Sequence, residues 1–456
     1  MSMARTIDMT TGNPMKHIVR FTIPLFLGNV FQQLYNMADS AIVGQKLGVE
    51  ALTSVGQSAS ITFLIIGFCM GTCAGFGIPI SQRFGARDQK TMRKYVYNSL
   101  YLSAVIAAIL TVVCCALTRQ ILQMINTPAV YMDNAYKYLF IIFLGLPCTV
   151  LYNIAASIAR AVGDSKTPFI FLVVSAVLNV GLDFLFIFGF GMGVEGAAIA
   201  TVISQGVSGV LCLVKVLTKY KELRDAGSKD YLHINKKAVK VLLKMGVPMG
   251  LQASITAIGS ILLQIAINGL ENVYIQAYTI AIKVKMLFIP MLDSLGTALA
   301  TFVGQNYGAG DFKRIKRGIR DSVILGVIFS AVTMGVITLF GRYIIMVFVK
   351  QGEAGVGAVI DAAYQYIFID VMLITLLALL FVFRYSIQGI GKSLTAMVAG
   401  FMEMASRLVM SLFVIPTVGW LAACFTDPLA WGSAMLYCLV AFLILMHIKQ
   451  KKHKAT

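Results

Sequence analysis

Three polar side chains recur at four-residue intervals within an otherwise apolar stretch, Pro168 to Phe190. They are Ser175, Asn179 and Asp183, and residues four apart share one face of an α-helix. At about 1.5 Å of rise per residue, the stretch is long enough to cross a hydrocarbon layer of about 30 Å. A carboxylate inside such a span costs roughly 2.5 to 3.5 kcal/mol on insertion scales, so it should face water or a partner. The pattern predicts that this face lines a binding chamber.

The first apolar segment of the chain carries a second polar stripe at helical spacing. Its members are Asn29, Gln32 or Gln33, Asn36, Asp39 and Ser40. Counted from the predicted outer ends of their spans at about 1.5 Å per residue, Asp39 lies about 8 Å deep, Asp183 about 10 Å and Thr201 about 12 Å. These three groups from three helices are therefore expected in one layer of the N-terminal half.

Two nearby carboxylates in a partly desolvated pocket can hold a proton near neutral pH. With the amide of Asn179 and the hydroxyl of Thr201, Asp39 and Asp183 could equally coordinate sodium, and only in that case would Asp39, Asn179 and Asp183 form a metal site. Either cation would compete with a positively charged substrate. Two structural alternatives stay open: Asp39 alone also fits an interfacial residue, and Asp183 with Asn179 fits an interhelical hydrogen bond.

The composition identifies a membrane protein. Of 456 residues, 58% are hydrophobic and 13% are charged, and the apolar runs repeatedly exceed the length of about 18 residues typical of a spanning helix. The formal net charge of +18 concentrates in short loops between spans, as anchoring on the cytoplasmic side predicts, rather than in a patch for nucleic acid. We therefore expect a multi-pass membrane protein with both termini cytoplasmic and no nucleic-acid partner.

The apolar runs predict an all-α protein with about twelve transmembrane helices. The predicted spans are 18–43, 51–80, 95–118, 136–160, 168–190, 194–217, 238–268, 274–304, 319–342, 358–388, 394–415 and 428–447. A polar linker over 219–237 separates an N-terminal lobe, 1–218, from a C-terminal lobe, 238–447, and a basic tail covers 448–456.

The two halves are similar in sequence. Without gaps, the segment from Ser81 aligns with the segment from Gly304, and Gly163 corresponds to Gly391. An even number of spans in each copy predicts two parallel repeats, an arrangement typical of transporters whose lobes rock about a cleft.

The second half does not repeat the acidic pocket. The alignment places Arg407 opposite Asn179 and Ser411 opposite Asp183. We expect Glu403 and Arg407, four residues apart, to neutralise each other on one helix. Other charged residues inside or near the C-terminal spans are Lys283, Lys285, Asp293 and Asp370.

We predict a substrate chamber lined by polar residues of both halves. The residues that the pattern assigns to it are Gln33, Asn36, Ser175, Lys283 and Asp293. Among the motifs of the sequence we find no zinc-binding or nucleophile signature, so we expect a transporter that needs no cofactor and not an enzyme.

Taken together, these segments resemble the multidrug and toxic compound extrusion (MATE) family, in its MepA-like bacterial branch. The similarity extends over nearly the whole chain. The segments that carry it are Pro24 with Asp39 and Gly44, 82–86, 160–164, Asn179 to Asp183, 196–201 and 304–310. Some family members have an acid in span seven, whereas Gly246 to Gly269 contains none.

The resemblance implies a V-shaped pair of six-helix bundles that exports cationic drugs in exchange for protons or sodium. It also implies a cation site at Asp39, Asn179, Asp183 and Thr201. Some relatives use an asparagine of span four, so the resemblance adds Asn153 to the substrate chamber. We expect a monomer in the lipid bilayer of a bacterial inner membrane that binds small organic cations. A flippase for a lipid-linked precursor and a receptor without transport are the alternatives, and the acidic pocket argues against a flippase, whose phosphate cargo would need a cationic chamber.

Overall fold

The computed structural model describes residues 7–125, 127–220, 223, 233–349 and 355–455, without the side chains of Val49, Gln57 and 449–455. Within these residues the regular secondary structure is helical. The chain forms two compact units: the first contains Met1–Met9 and Ile23–Leu251, and the second contains Thr10–Thr22 and Gln252–Thr456. Most of the predicted linker 219–237 lies outside the described residues, so the predicted domain boundaries stay a prediction.

The structure describes seven helices up to the start of the second predicted lobe and its first span. They are α1 (Pro14–Gly85), α2 (Gln89–Met124), α3 (Ala129–Leu144), α4 (Leu146–Ala161), α5 (Lys166–Asp183), α6 (Val194–Lys219) and α7 (Lys236–Asn268). A π-helical segment, Phe184–Gly189, continues α5. Helix α1 contains a break at Gly48, which has a φ of 85°. Glycine adopts this conformation readily because it has no Cβ. The break separates the first two predicted spans.

Eight helices follow in the second half. They are α8 (Asn272–Lys285), α9 (Ile289–Gly308), α10 (Phe312–Met346), α11 (Val356–Met372), α12 (Ile374–Gly389), α13 (Ser393–Val409), α14 (Ile415–Val418) and α15 (Trp420–Ala455). A π-helical segment, Met410–Val414, joins α13 to α14. The last predicted span, 428–447, therefore begins earlier, at Trp420.

Among the described residues, eight helices are long and apolar enough to cross a membrane, and three bent pairs, each counted as one span, bring the number to eleven, close to the predicted value of about twelve. The protein is thus an all-α, multi-pass membrane protein.

Three predicted spans are not straight helices. Spans 136–160, 274–304 and 358–388 consist of α3 with α4, α8 with α9, and α11 with α12, bent by 45°, 42° and 46°. In the first two pairs a proline, Pro147 or Pro290, stands in the first turn of the second helix. Proline is tolerated there because it has no N–H to donate, and it favours a new start. Each pair still counts as one span, and the bends were not predicted because apolar length contains no information about them.

Local geometry repeats between the aligned segments of the two halves. Asp88 accepts a hydrogen bond from the backbone N–H of Thr91 at 3.1 Å and caps α2, and Asp311 does the same for Arg314 at 2.8 Å and α10. Such side chains satisfy one of the N–H groups that a helix start leaves without a partner. The two aspartates are aligned in the sequence, so the similarity extends to their backbone role.

A second pair of positions also matches. Gly163 has a φ of 85° and Gly391 a φ of 86°, and each follows the helix that precedes α5 or α13. Both α5 and α13 then end in π-helical segments, Phe184–Gly189 and Met410–Val414. Single π-turns within helices occur often at functional sites. In the first half this irregular turn begins directly after Asp183.

Candidate functional site

The first unit contains a chamber with a volume of 560 Å³ between α1, α3, α4, α5 and α6. The polar stripe of α1 lines it along its length, whereas the stripe of α5 reaches it through Ser175, and Asn179 and Asp183 are not among the described residues that line it. Among its lining residues are Asp39, Thr201 and four residues predicted for the substrate chamber, namely Gln33, Asn36, Asn153 and Ser175. A volume of this size is within the range of small-molecule sites.

Helices α5 and α6 meet beside the chamber through a side-chain hydrogen bond. The amide nitrogen of Asn179 donates to the hydroxyl of Thr201 at 3.3 Å. Position Gly145, at the bend between α3 and α4, lets α6 approach closely: a Cβ there would lie 2.1 Å from a methyl carbon of Val202. Val202, the neighbour of Thr201, thus packs directly against the backbone of Gly145, and this contact fixes the position of α6 beside the bend.

The carboxyl groups of Asp39 and Asp183 lie within hydrogen-bonding reach of each other. Asp183 and Asn179 are 0% and 1% exposed, whereas Asp39 is only partly buried and reaches the chamber. The structure therefore brings Asp39, Asn179, Asp183 and Thr201 together. Their role in cation coupling stays a prediction.

This group has acceptors without donors. Within the described residues, no hydrogen bond reaches either carboxyl oxygen of Asp183, Oδ1 of Asp39 or Oδ1 of Asn179. A buried polar oxygen without a partner costs free energy comparable to a lost hydrogen bond, and two adjacent carboxylates also repel each other. A proton would supply a donor between the two carboxyl groups, and Na⁺ would be coordinated by oxygen ligands of the kind present here. The arrangement suits a bound monovalent cation.

Several chamber residues escaped the sequence analysis. Tyr138 is close enough to interact electrostatically with both Asp39 and Asp183, and Tyr35 is within hydrogen-bonding reach of Gln205. Arg160 also lines the chamber. The pattern of polar residues did not reveal the tyrosines because an amphipathic side chain is equally common in a core.

The two second-half residues predicted for the chamber belong to the other compact unit. Lys283 and Asp293 belong to the second unit and are absent from the chamber lining. Lys283 is exposed, and the half-buried carboxylate of Asp293 accepts a hydrogen bond from the hydroxyl of Tyr385. The assignment of Lys283 and Asp293 to the substrate chamber stays a prediction.

The second unit contains a buried array of six charged side chains of alternating sign. In order they are Asp370, Lys285, Asp427, Arg407, Glu403 and Arg384, with successive N–O distances of 2.5, 2.6, 2.9, 3.6 and 2.7 Å. The expected pair Glu403–Arg407 exists, but each member makes a shorter contact with another helix. Three acids and three bases balance within the array.

A third polar cluster joins the start of α5 to the end of α6. The carboxylate of Asp164 accepts hydrogen bonds from the hydroxyl of Thr167 at 2.6 Å, from the ammonium of Lys219 at 2.6 Å and from the hydroxyl of Tyr220. Burial raises the pKa of Asp164, but the bonds from Lys219, Thr167 and Tyr220 outweigh it and hold that pKa below its usual value. Burial and the adjacent Asp164 carboxylate raise the pKa of Tyr220.

A multi-pass helical bundle with broken helices beside an acidic chamber is the architecture of a secondary transporter. Comparison with known proteins agrees with this class. The profile described as MatE matches residues 24–185 and 248–413. The chain therefore belongs to the MatE family of multidrug efflux transporters, as the resemblance predicted, and it is a transporter and not an enzyme.

Individual relatives agree with this placement. The chain is 30% identical over 338 residues, 73% of each protein, to the probable multidrug resistance protein YoeA of Bacillus subtilis. It is 24% identical over 410 residues, 89% of each protein, to the multidrug export protein MepA of Staphylococcus saprophyticus. A solved outward-facing structure of a multidrug resistance MATE transporter of the MOP superfamily superposes with a TM-score of 0.88 at 22% identity, covering 99% of this chain and 100% of that one.

Proposed function

We propose that the chain is a cation-coupled antiporter that exports amphipathic, mostly cationic drugs and toxic organic compounds across the bacterial cytoplasmic membrane. The single observation that carries this proposal is the group of acceptor oxygens at Asp39, Asn179 and Asp183, which borders the chamber and lacks donors within the described residues. Such a group favours a positive ligand. H⁺ and Na⁺ both satisfy it, and we keep both as coupling ions.

Competition for one acidic site supplies the exchange. Asp39 is open to the chamber, whereas Asp183 lies behind it, fully buried. A proton or Na⁺ between the two carboxyl groups neutralises the negative charge that attracts an organic cation to the chamber. When the ion leaves towards the cytoplasm, the charge returns and a cationic substrate is bound again. The basic loops predict cytoplasmic termini for this orientation.

The driving force depends on the charge that is moved. One elementary charge that crosses the membrane gains about 2.3 kcal/mol per 100 mV. Exchange of one proton for one monovalent cation moves no net charge, so that exchange would use only the two concentration gradients. A ratio of two ions for one drug would be voltage-dependent.

Reconstituted vesicles test the proposal. An imposed pH or sodium gradient should drive accumulation of a fluorescent organic cation such as ethidium in the wild type, and Asp183→Asn should abolish this flux because an amide cannot take up the coupling ion. The matched control is Asp361→Asn, an exposed acid of the second unit that pairs with Arg342 at 2.7 Å, which should transport as the wild type does.

The alternatives give different results in the same vesicles. A receptor or a flippase predicts no gradient-driven accumulation in the wild type. Wild-type transport by Asp183→Asn would refute the assigned site, and separate proton and sodium gradients identify the coupling ion.

A further inference from the structure

The ammonium group of Lys285 is enclosed in the second unit by acids and aromatic rings. Its Nζ atom lies 2.5 Å from a carboxyl oxygen of Asp370 and 2.6 Å from one of Asp427. The same atom lies 5.3 Å from the ring centre of Tyr366 and 5.2 Å from that of Trp431. Four of these five residues are less than a tenth exposed, and the side chain of the fifth, Asp427, is 11% exposed. Carboxylates and aromatic faces are the groups that bind an ammonium ion.

Charge balance shows which carboxylate depends on this ammonium. Asp427 also accepts a hydrogen bond from Nε of Arg407 at 2.9 Å, so it keeps a positive partner if Lys285 is removed. For Asp370, Lys285 is the ion-pair partner within 4.0 Å in the described part of the chain. Without the lysine, the array of three acids and three bases would carry one uncompensated negative charge in a buried place, which is costly.

The walls of this cage come from separate helices. Asp370 and Tyr366 lie on α11, while Asp427 and Trp431 lie on α15, four residues apart in each case and therefore on one face. The hydroxyl of Tyr366 also donates to Asp427 at 3.3 Å, which ties the two helices together. The cage is thus defined by residues other than Lys285, which enters it from the C-terminal end of α8.

We propose that this cage is a complete binding site for a monovalent ammonium-type cation, and that Lys285 is its resident, covalently tethered occupant. Shortening Lys285 therefore opens the site to a free primary alkylammonium ion. One consequence rests on the proposed function: the coupling ion of the wild type binds in the first unit, since the second unit supplies a cation of its own.

A variant with a cavity of known shape tests the cage. Lys285→Ala removes three carbons and the ammonium, which are the atoms of n-propylammonium. The purified full-length variant in detergent should show a saturable rise in its unfolding temperature with n-propylammonium, of at least about 2 °C, because ligand that binds only the folded state stabilises it. The wild type should show no saturable rise.

Two variants control for non-specific effects. Lys285→Met fills the same space without charge and leaves no room for the ligand, so it should not respond. Lys283→Ala, an exposed lysine two residues away, should behave as the wild type. An equal response of Lys285→Ala and Lys285→Met, or no response of Lys285→Ala, would overturn the proposal.

The double variant Lys285→Ala/Asp370→Asn keeps the test decisive if Lys285→Ala does not accumulate. It restores the charge balance, so it should accumulate, and it should not bind n-propylammonium. If neither variant accumulates, charge balance does not explain the site and the proposal fails. Because the measured quantity is binding, the result is independent of whether the first unit couples transport to an ion.

Discussion

Asp164 offers the most quantitative test of the packing within the first unit. Asp164→Ala removes the acceptor for the ammonium of Lys219 and for the hydroxyls of Thr167 and Tyr220, and it removes the acceptor for the backbone N–H of Lys166 at 2.9 Å. Breaking a buried ion pair by removing one partner costs about 3 to 5 kcal/mol. The side chain of Lys219 is 21% exposed, so its ammonium regains part of its hydration in the variant. We therefore expect a loss at the lower end of this range, about 3 kcal/mol in the free energy of unfolding.

The matched control is another aspartate that begins a helix. Asp88 caps α2, but its ion pair with Arg83 is largely exposed, with side-chain exposures of 33% and 44%. Asp88 therefore stabilises the protein mainly as a helix cap, and Asp88→Ala should lower the free energy of unfolding by about 1 kcal/mol. The assay is the free energy of unfolding in mixed detergent micelles, measured for both variants and the wild type. Equal losses for the two variants would refute the assignment of the larger effect to burial.

The same carboxylate predicts a dependence on pH. The pKa of Asp164 is lowered in the folded protein, so its contribution is fully present above the unfolded value of about 4 and is lost as pH falls through the folded value. The difference in stability between wild type and Asp164→Asn should therefore be constant above about pH 5 and shrink in more acidic solution. A difference that grows on acidification would contradict the sign of the shift.

Two further substitutions test the close packing and the charged array. Gly145→Ala places a Cβ 2.1 Å from the side chain of Val202 and should lower the free energy of unfolding by about 1 to 3 kcal/mol. In Gly181→Ala the new Cβ meets no atom within 4 Å, so this variant should be as stable as the wild type or slightly more stable. Thermal unfolding of both variants tests this, and equal midpoints would contradict the close approach at Gly145. Arg384→Met removes the 2.7 Å contact to the buried Glu403 and should lower the free energy of unfolding by about 3 to 5 kcal/mol. Arg342→Met, at an exposed ion pair, should lower it by less than about 1 kcal/mol. Similar losses in the two variants would argue against burial of the array.

Periodicity predicted the polar face of the site. Residues four apart lie on one face of a helix, so Ser175, Asn179 and Asp183 share a face. Because a carboxylate in lipid is costly, that face is expected to point away from the lipid. The self-similarity of the chain aligned the positions that share a helix cap or a left-handed backbone in the structure. Both kinds of information are local, so the sequence contains them.

The partners of the second-half charges could not be predicted in this way. Lys283 and Lys285 are two residues apart on one helix, and the pattern does not show which of them is buried, because helices distant in sequence cover that face. Asp427 fell before the predicted last span and was not considered. Arg384, inside the apolar run of α12, was the signal that could have revealed the array, since a base in a span requires a nearby acid.

The bends within three spans were also hidden from an analysis of apolar length. Pro147 and Pro290 marked two of them, because a proline in an apolar run indicates either a kink or a new helix start. The bend between α11 and α12 has no proline at Leu373, so no residue of this kind marked it in the sequence.

The central claim is that Asp39 and Asp183 bind one cation in competition with the substrate. Equilibrium binding of ethidium to the purified protein, measured at increasing proton and sodium concentrations, tests it without any transport step. The account predicts that the apparent Kd of the wild type rises with the concentration of the coupling ion, and that the Kd of Asp39→Asn/Asp183→Asn does not change with it. The same rise in the double variant, or no rise in the wild type with either ion, would contradict the account.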